Sequence, residues 1–414
     1  TIGVEDARPP TSVTLTAGNI VNVNAAITSV GQVNITGSAA AANDILLAAN
    51  VIGTSVIFNS NGAGGITDIT AAQSNTAGST TFNGLVTLSN NVSALGTVTF
   101  NNAVTVTGAA RTITSTDGDI HLNTLNTTVD SEGGFNRGLT LSAAHGTVYA
   151  QTIGTIQRVG ALVINADAAQ LNDNIAALSV LTTGVGLTTL AAGTVDINTV
   201  GGTTITLGPL AGNNLTLEAG TVITLVNANI ASLDISAATN VNFNGDFVAS
   251  GVVTVNTAIT GTITVTAVTG AIQASGAVIL NAPTVVDNNL ISGNSVSITG
   301  ATGIHLNGNV NGNNGLVRFF SPVTLTGNST ASSTNGNVTF SGTILDNVDD
   351  THNLTVNADN GTATFTGAVG NGAGNDPHTL TVTAKDTLFS STVDIGTGGL
   401  KVTGIGNSTT TLNG

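Results

Sequence analysis

The sequence predicts an all-β fold, a parallel β-solenoid whose short strands wind into coils that stack on one another. A pattern of Phe, any residue, a small or turn-forming residue, any residue and Val or Ile recurs about every 18 to 25 residues. Such a period is typical of repeat proteins, in which each unit contacts only its neighbours. Copies begin at Phe82, Phe100, Phe340, Phe365 and Phe389, with looser versions at Phe243 and Phe319.

Strict alternation of apolar and polar residues is the second observation. In Thr97–Gly108, TVTFNNAVTVTG, the residues Val98, Phe100, Val104 and Val106 share one parity, and threonines occupy the other. Side chains of a strand point alternately to opposite faces, so the pattern places the apolar set in the core and the threonines outside. Gly, Asn and Asp follow such runs and predict the corners between strands.

The composition is the third observation. The chain has 52 glycines, 7% charged and 3% aromatic residues, and only two lysines, Lys385 and Lys401. A helical protein would need far more Leu, Glu and Lys. Disorder is disfavoured because 41% of the residues are apolar and they alternate regularly. Tandem antiparallel β-sandwiches are the alternative fold, but the repeat is one coil long rather than one domain long.

The chain organisation follows the regularity of the repeats. We expect residues 1–10, TIGVEDARPP, to form an extended arm, because Pro9 and Pro10 prevent regular strand pairing there. Residues 11–414 are expected to form one continuous solenoid. Its middle, about 138–283, is less regular, and the repeats of 284–414 are more regular. Two interpretations of the run Ala166–Leu181 stay open. It forms either a short helix or lateral protrusion, or strands of an irregular solenoid.

Charge and cysteine content exclude several classes of function. Without cysteine the chain has no disulfides, thiol catalysis or thiolate metal sites. The net charge of −15 disfavours nucleic acids and anionic membranes as partners, since both attract clustered Lys and Arg. No apolar run reaches the roughly 18 residues that span a bilayer. No signal peptide precedes Thr1, so we expect a mature, processed product.

The chain contains the tracts GDIHLN (Gly118–Asn123), GNVTFSGTI (Gly336–Ile344) and NLTVNADNGTATFTGAVG (Asn353–Gly370). These tracts resemble the repeats of very large bacterial surface proteins, the filamentous-haemagglutinin-like and autotransporter-adhesin-like strand-repeat proteins. The resemblance covers nearly the whole chain after the arm, but the secretion and capping domain and the C-terminal barrel of that family are not recognisable. It implies secretion to the cell surface and a right-handed parallel β-helix with a structural or adhesive role.

Acidic residues form one dense cluster, Asp346, Asp349 and Asp350, with His352 close by. Carboxylate oxygens of this kind could bind Ca²⁺, and no other cofactor is indicated. We favour a solvated corner loop between two coils. Asp376 lies in GNGAGNDPH, Gly370–His378, which is faintly similar to a calcium-binding nonapeptide but lacks tandem copies. We favour a plain insertion loop there as well.

The sequence offers little for catalysis. His121 and His305 both follow Ile and precede Leu, so both are predicted to point outward as surface residues. A polysaccharide-degrading β-helix enzyme would need clustered acids in a groove, usually with Arg or Lys, and would depend on Asp349 and Asp350. We therefore expect no enzymatic activity, and an enzyme is the least favoured of the functions considered.

These observations favour a secreted structural protein, a protomer or segment of an extracellular fibre, sheath or surface layer. The ends of a solenoid expose unpaired strands, so we expect homopolymers with end-to-end contacts. The arm is predicted to act as a clasp in that assembly. The alternative is an adhesin that binds host or environmental glycans through solenoid loops. The predicted assembly residues are Thr1, Ile2, Val4, Pro9 and Pro10.

Overall fold

A computed structural model of the chain describes residues 9–38, 43–61, 64–122, 128–237, 239–258, 260–266, 271–372 and 374–413. These residues form 43 β-strands and no helix. The chain divides into two compact units, Thr1–Asn213 and Asn214–Gly414, which together contain about 18 coils. The strands of both units pair in parallel, which confirms the predicted β-solenoid. The alternative prediction, tandem antiparallel β-sandwich domains, is therefore wrong.

In the first unit, each regular coil contributes three short strands and then passes to the next coil. The strands are β1 (Ser12–Thr16), β2 (Val21–Val23), β3 (Ile27–Thr28), β4 (Gln32–Gly37), β5 (Asn43–Leu47), β6 (Val51–Ile52), β7 (Ser55–Ser60), β8 (Ile66–Ile69), β9 (Gln73–Asn75), β10 (Ser79–Phe82), β11 (Leu85–Leu88), β12 (Val92–Ala94), β13 (Val98–Phe100), β14 (Val104–Val106), β15 (Arg111–Ser115), β16 (Ile120–Leu122), β17 (Val129–Ser131), β18 (Leu139–Ala150), β19 (Val159–Leu171), β20 (Ile175–Thr183), β21 (Leu187–Thr199) and β22 (Thr204–Leu207).

Three parallel ladders run through this unit, so its coils have three sides. The first joins β1, β4, β7, β10, β13 and β16. The second is the sheet of β2, β5, β8, β11, β14 and β17. The third joins β3 to β6, and β9 through β12 and β15 to β18.

Strand β23 (Leu210–Ala219) contains the boundary between the units. The strands of the second unit are β24 (Val222–Leu225), β25 (Ala228–Ile230), β26 (Leu233–Ala237), β27 (Asn240–Phe243), β28 (Phe247–Ala249), β29 (Val253–Thr257), β30 (Thr262–Val265), β31 (Ala271–Ala274), β32 (Val278–Asp287), β33 (Leu290–Gly293), β34 (Val296–Leu306), β35 (Asn309–Gly312), β36 (Val317–Phe319), β37 (Val323–Leu325), β38 (Ser329–Ser332), β39 (Val338–Phe340), β40 (Ile344–Asp346), β41 (Asn353–Phe365), β42 (Thr379–Phe389) and β43 (Gly399–Leu412).

The second unit also has three parallel ladders. One runs from β24 through β27, β30, β32, β34 and β37 to β40. Another runs from β25 through β28, β31, β33, β35 and β38 to β41. The third links β26, β29, β32, β34, β36 and β39 to β41. Strands β41, β42 and β43 are long enough to turn a corner and serve two ladders.

The core of each unit consists of columns of like residues, one from each coil. In the first unit Phe58, Phe82 and Phe100 are in register, with ring centroids 5.0 and 4.9 Å apart. All three are buried, and the rings are nearly parallel because the coils repeat at the spacing between strands. The recurring phenylalanines of the sequence are therefore the points at which successive coils pack.

The second unit repeats this arrangement over four coils. Phe319, Phe340, Phe365 and Phe389 follow one another in register, at centroid distances of 4.6, 5.5 and 4.7 Å. Ile298 occupies the column on the coil before Phe319, and Leu412 on the coil after Phe389. The recurring phenylalanines of this stretch therefore stack on one another in successive coils.

Outward-facing asparagines, within strands and just after them, form hydrogen-bonded ladders on the surface. Asn59 Nδ2 donates to Asn34 Oδ1 at 2.7 Å, Asn83 Nδ2 donates to Asn59 Oδ1 at 2.7 Å, and Asn101 Nδ2 donates to Asn83 Oδ1 at 2.8 Å. Each amide then uses its oxygen toward one coil and its nitrogen toward the other. These ladders fix the register at positions where the side chains are too exposed for packing to do so.

The middle of the chain consists of strands, and no helix is found in its described residues. Ala166–Leu181, for which two structures were open, belongs to β19 and β20. Long strands that turn corners occur there, with a register shift between Ala143 and Thr147 in β18.

Candidate functional sites

Asp346 lies at the end of β40, and its side chain points into the core, with 1% of the residue exposed. Its Oδ2 accepts the backbone N–H groups of Thr351 and His352, and its Oδ1 lies 2.6 Å from His352 Nδ1. Burial opposes ionisation, but these hydrogen bonds outweigh it, so the pKa of Asp346 is below its ordinary value. The expected solvated loop is wrong for this residue, because Asp346 is a buried acceptor that closes the turn.

Asp350 connects three successive coils. Its Oδ1 lies 2.8 Å from His378 Nδ1 and accepts the N–H of Thr397, whose hydroxyl donates to Oδ2. The His378 and Thr397 hydrogen bonds hold the pKa of Asp350 below its ordinary value. Its backbone has a φ of 54°, a left-handed conformation that Asp tolerates better than most residues.

Asp349 and Asp376 form a second link between the same loops. Asp349 Oδ1 accepts the N–H of Asp376 at 3.0 Å. Asp376 Oδ1 in turn accepts the N–H groups of Asn371 and Gly372. Sequence analysis treated Asp349 and Asp376 as parts of two separate segments, and the structure brings both to one corner of the second unit.

This corner is therefore built as a set of loop braces. The carboxylate oxygens just described accept N–H, O–H or imidazole partners from neighbouring loops, so in this structure they hold the loops together. Across the described ranges, no group of three or more His, Asp or Glu side chains is arranged to hold a metal ion.

The two histidines of the IHL segments point outward, as predicted. His121 is half-buried, and its ring stacks on Tyr149 of the following coil at a centroid distance of 4.4 Å. His305 lies between buried Ile304 and Leu306 on the outer face of β34.

Of the predicted assembly residues, Thr1, Ile2 and Val4 lie outside the described residues. Pro9 and Pro10 are half-buried. The carbonyl oxygen of Pro10 accepts the backbone N–H of Val30 and the hydroxyl of Ser29, at 3.0 and 2.8 Å. The end of the arm thus contacts a coil of its own chain.

Asp287 is a buried carboxyl group that sequence reasoning missed. It stands in a core column between Val265 and Leu306, with 0% exposure. Its Oδ1 accepts the N–H of Asn289, while its Oδ2 has no partner among the described residues. Burial raises its pKa to about 8, although the Asn289 hydrogen bond opposes the shift. The inward parity of Asp287 in Thr284–Val285–Val286–Asp287 was the available signal.

A polar groove in the first unit was also missed, and we call it the Arg158 groove. It is a concavity of about 600 Å³ whose walls are residues 152–158, 174–176, 196 and 198, together with Asn136. Arg158 spans it, donating to the carbonyl oxygen of Val200 and, at 2.7 Å, to Asn198 Oδ1. The volume falls in the range of small-molecule sites.

The groove exists because the second ladder of the unit narrows at this point. After β17 the ladder continues through single bridges, from Val129 to Ile153 and from Ile153 to Ile175. The chain leaves the ladder at Gly154, where φ is +79° and an added Cβ would collide with the carbonyl of Ala176. Residues 155–158 then form one wall of the groove, held by Asp130 Oδ1, which accepts the N–H groups of Ile156 and Gln157.

The fold defines a class, the β-solenoid repeat proteins, with coils of three sides in each unit. Comparison with family models, curated proteins and solved structures found no match. Within the described residues, no helix is long and apolar enough to cross a membrane.

Proposed function

We propose that this chain is a non-enzymatic structural protein whose coils associate with those of other copies in an extracellular fibre, sheath or surface layer. The observation that carries the proposal is the stacking of like residues, since each coil is held by its neighbours in register. A coil surface built in this way is a template for another coil of the same sequence.

The resemblance of the repeat tracts to filamentous-haemagglutinin-like and autotransporter-adhesin-like proteins supports an extracellular, bacterial setting. The net charge of −15 supports a partner other than nucleic acid or an anionic membrane. The hydrogen bonds around Asp346 and Asp350 support a role for these acids in connecting loops, which needs no cofactor. Ca²⁺ binding would only add to that role.

Strand β43 gives this proposal a concrete contact. Among the described residues β43 is paired with β42 alone, and its Leu400 and Leu412 are 43% and 66% exposed. In the preceding coils, an inward-facing residue donates its N–H to the following coil, as Ile344 does to Ala368 and Val369 does to Thr392. Val402 of β43 occupies the same parity, so its backbone is oriented toward a further coil.

The test compares two Val→Lys variants of the 414-residue chain by sedimentation velocity and electron microscopy over a range of concentrations. Val402→Lys places a charge on the strand edge, which natural proteins use to block edge pairing. Val348→Lys is the matched control, because Val348 is 54% exposed in a turn and the charge change is the same. We expect fibres from the parent and from Val348→Lys, and monomers from Val402→Lys. A parent chain that stays monomeric at every concentration, or equal assembly of both variants, would contradict the proposal.

A further inference from the structure

We propose that the Arg158 groove binds a neutral glycan. The inference does not depend on self-association, because the groove lies within one unit and is formed by a single chain.

The floor of the groove follows from the coil register. Ile153, Ile175 and Ile197 stack toward the core. The residues that precede them, Thr152, Asn174 and Asp196, line one side of the floor. Those that follow, Gly154, Ala176 and Asn198, line the other, and the small Gly154 and Ala176 leave the space open. Polar groups therefore recur along the groove at the spacing of strands, about 4.8 Å.

Hydrogen-bonding capacity remains on the walls of the groove. Asn174 Oδ1 accepts the N–H of Asp196 at 2.9 Å, which leaves Asn174 Nδ2 without a partner among the described residues. Gln157 Nε2 donates to Asn136 Oδ1 at 2.8 Å, which leaves Gln157 Oε1 and Asn136 Nδ2 for a ligand. A site with both donors and acceptors suits hydroxyl groups, because each hydroxyl both donates and accepts.

An apolar contact stands beside these amides. Ile156, on the wall formed by residues 155–158, is 86% exposed. A pyranose ring presents C–H groups on its faces and hydroxyls at its edge. Ile156 can therefore cover a ring face while the amides contact its edge, which is the mixed lining expected of a ligand site.

Other ligands fit less well. The Arg158 guanidinium already donates to Asn198 and to Val200, and the carboxylates of Asp173 and Asp196 lie close by, so an anionic ligand would be repelled. An added peptide strand would need unpaired backbone groups. The N–H groups of Ile153 and Gly154 instead donate to Asn174 and Val129.

The experiment screens the 414-residue chain against cello-, malto-, manno- and chito-oligosaccharides, with sialylated and sulfated glycans as the charged comparison. The best neutral probe is then titrated calorimetrically into two groove variants. Ala176→Leu fills the floor, and Ile156→Ser removes the exposed apolar contact with little risk to folding. The matched controls are Ala168→Leu, half-buried on another ladder of the unit, and Val30→Ser, 55% exposed.

We expect a neutral oligosaccharide to bind, with affinity reduced about tenfold or more in each groove variant and unchanged in the controls, a change of about 1.4 kcal/mol. Binding of charged glycans alone, no binding of any probe, or equal losses in groove and control variants would overturn the proposal. Fibre formation is measured on the same samples, so a failure of glycan binding is distinguishable from a failure of self-association.

Discussion

At the scale of single residues, parity along the strands decides what is buried. Val98, Phe100, Val104 and Val106 are all at most 1% exposed, as their alternation with threonine predicts. The same rule explains the exceptions, because Asp287 and Asp346 occupy inward positions and are buried in spite of their charge. Asp346 is compensated by hydrogen bonds from its own loop, whereas Asp287 has only one.

Asp287 should make stability depend on pH. Its pKa in the folded chain, about 8, lies above the ordinary value of 3.8, so the folded state holds a proton that the unfolded state releases. Stability contributed by the protonated group is complete below about pH 4 and is lost as the pH rises toward 8. We expect Asp287→Leu to flatten this slope and to raise the free energy of unfolding at pH 8 by up to about 5 kcal/mol.

Urea denaturation of both proteins between about pH 2 and 9 measures this effect. Below about pH 4 the parent and the variant should lose stability together, because the lowered pKa of Asp346 acts there with the opposite sign. If the free energies of unfolding of the parent and of Asp287→Leu change in parallel between about pH 4 and 8, Asp287 is not the source of the pH dependence of stability.

Phe365 should be among the most costly positions to truncate. Its ring is 1% exposed and lies 5.5 Å from Phe340 and 4.7 Å from Phe389. Phe365→Ala should destabilise the second unit by about 3 to 5 kcal/mol, and Phe365→Leu by less, because Ile298 and Leu412 occupy the same column. Calorimetry checks the result against Phe320→Ala, where the ring is 47% exposed and little change is expected.

At the scale of elements, corners are built from stacked glycines followed by Asn or Asp. Gly118 lies below Gly146, and Asp119 Oδ1 accepts the N–H of Thr147 at 2.7 Å. The second unit repeats the device, with Gly361 on Gly336 and Asn337 Oδ1 accepting the N–H of Thr362 at 2.8 Å. GDIHLN and GNVTFSGTI are thus two copies of one corner and strand.

Adding a methyl group inside such a stack should be destabilising. A Cβ on Gly146 would collide with the carbonyl oxygen of Gly118, and both atoms belong to backbone that cannot move independently. We expect Gly146→Ala to cost about 1 to 3 kcal/mol. Gly193→Ala is the control, since no atom of another residue beyond its chain neighbours lies within 4 Å of the place its Cβ would take, and thermal unfolding compares the two. Equal melting temperatures would argue against a tight corner.

The strands and their stacking could be predicted from sequence because they depend on local alternation and on a one-coil period. The number of sides could not, because Gly and Asn occur both at corners and within strands, as Gly300 and Asn34 show. Candidate sites were predicted only where acids are close in sequence. The Arg158 groove combines Asn136, Gln157, Asn174 and Asn198 from successive coils, and only the coil register reveals that these residues meet.

At the scale of the whole molecule, charge opposes the proposed assembly. A net charge of −15 makes copies of the chain repel one another, and salt screens that repulsion over about 8 Å at 0.15 M compared with about 30 Å at 0.01 M. We expect association to strengthen as NaCl is raised at constant protein concentration, which light scattering measures. Weaker association in high salt would indicate contacts between opposite charges instead of stacked coils.

Backbone hydrogen bonds between coils run in both directions within each unit, because inward residues donate to the later coil while outward residues, such as Asn101 and Asn347, donate to the earlier one. Val98 donates to Asp119 and Val317 donates to Asn337, in each case toward the later coil. The edge of a coil that faces the later coil therefore presents the N–H and C=O groups of inward residues, and the opposite edge presents those of outward residues. Copies that join unlike edges all face the same direction, which yields a polar filament that grows without closing and whose two tips are chemically different.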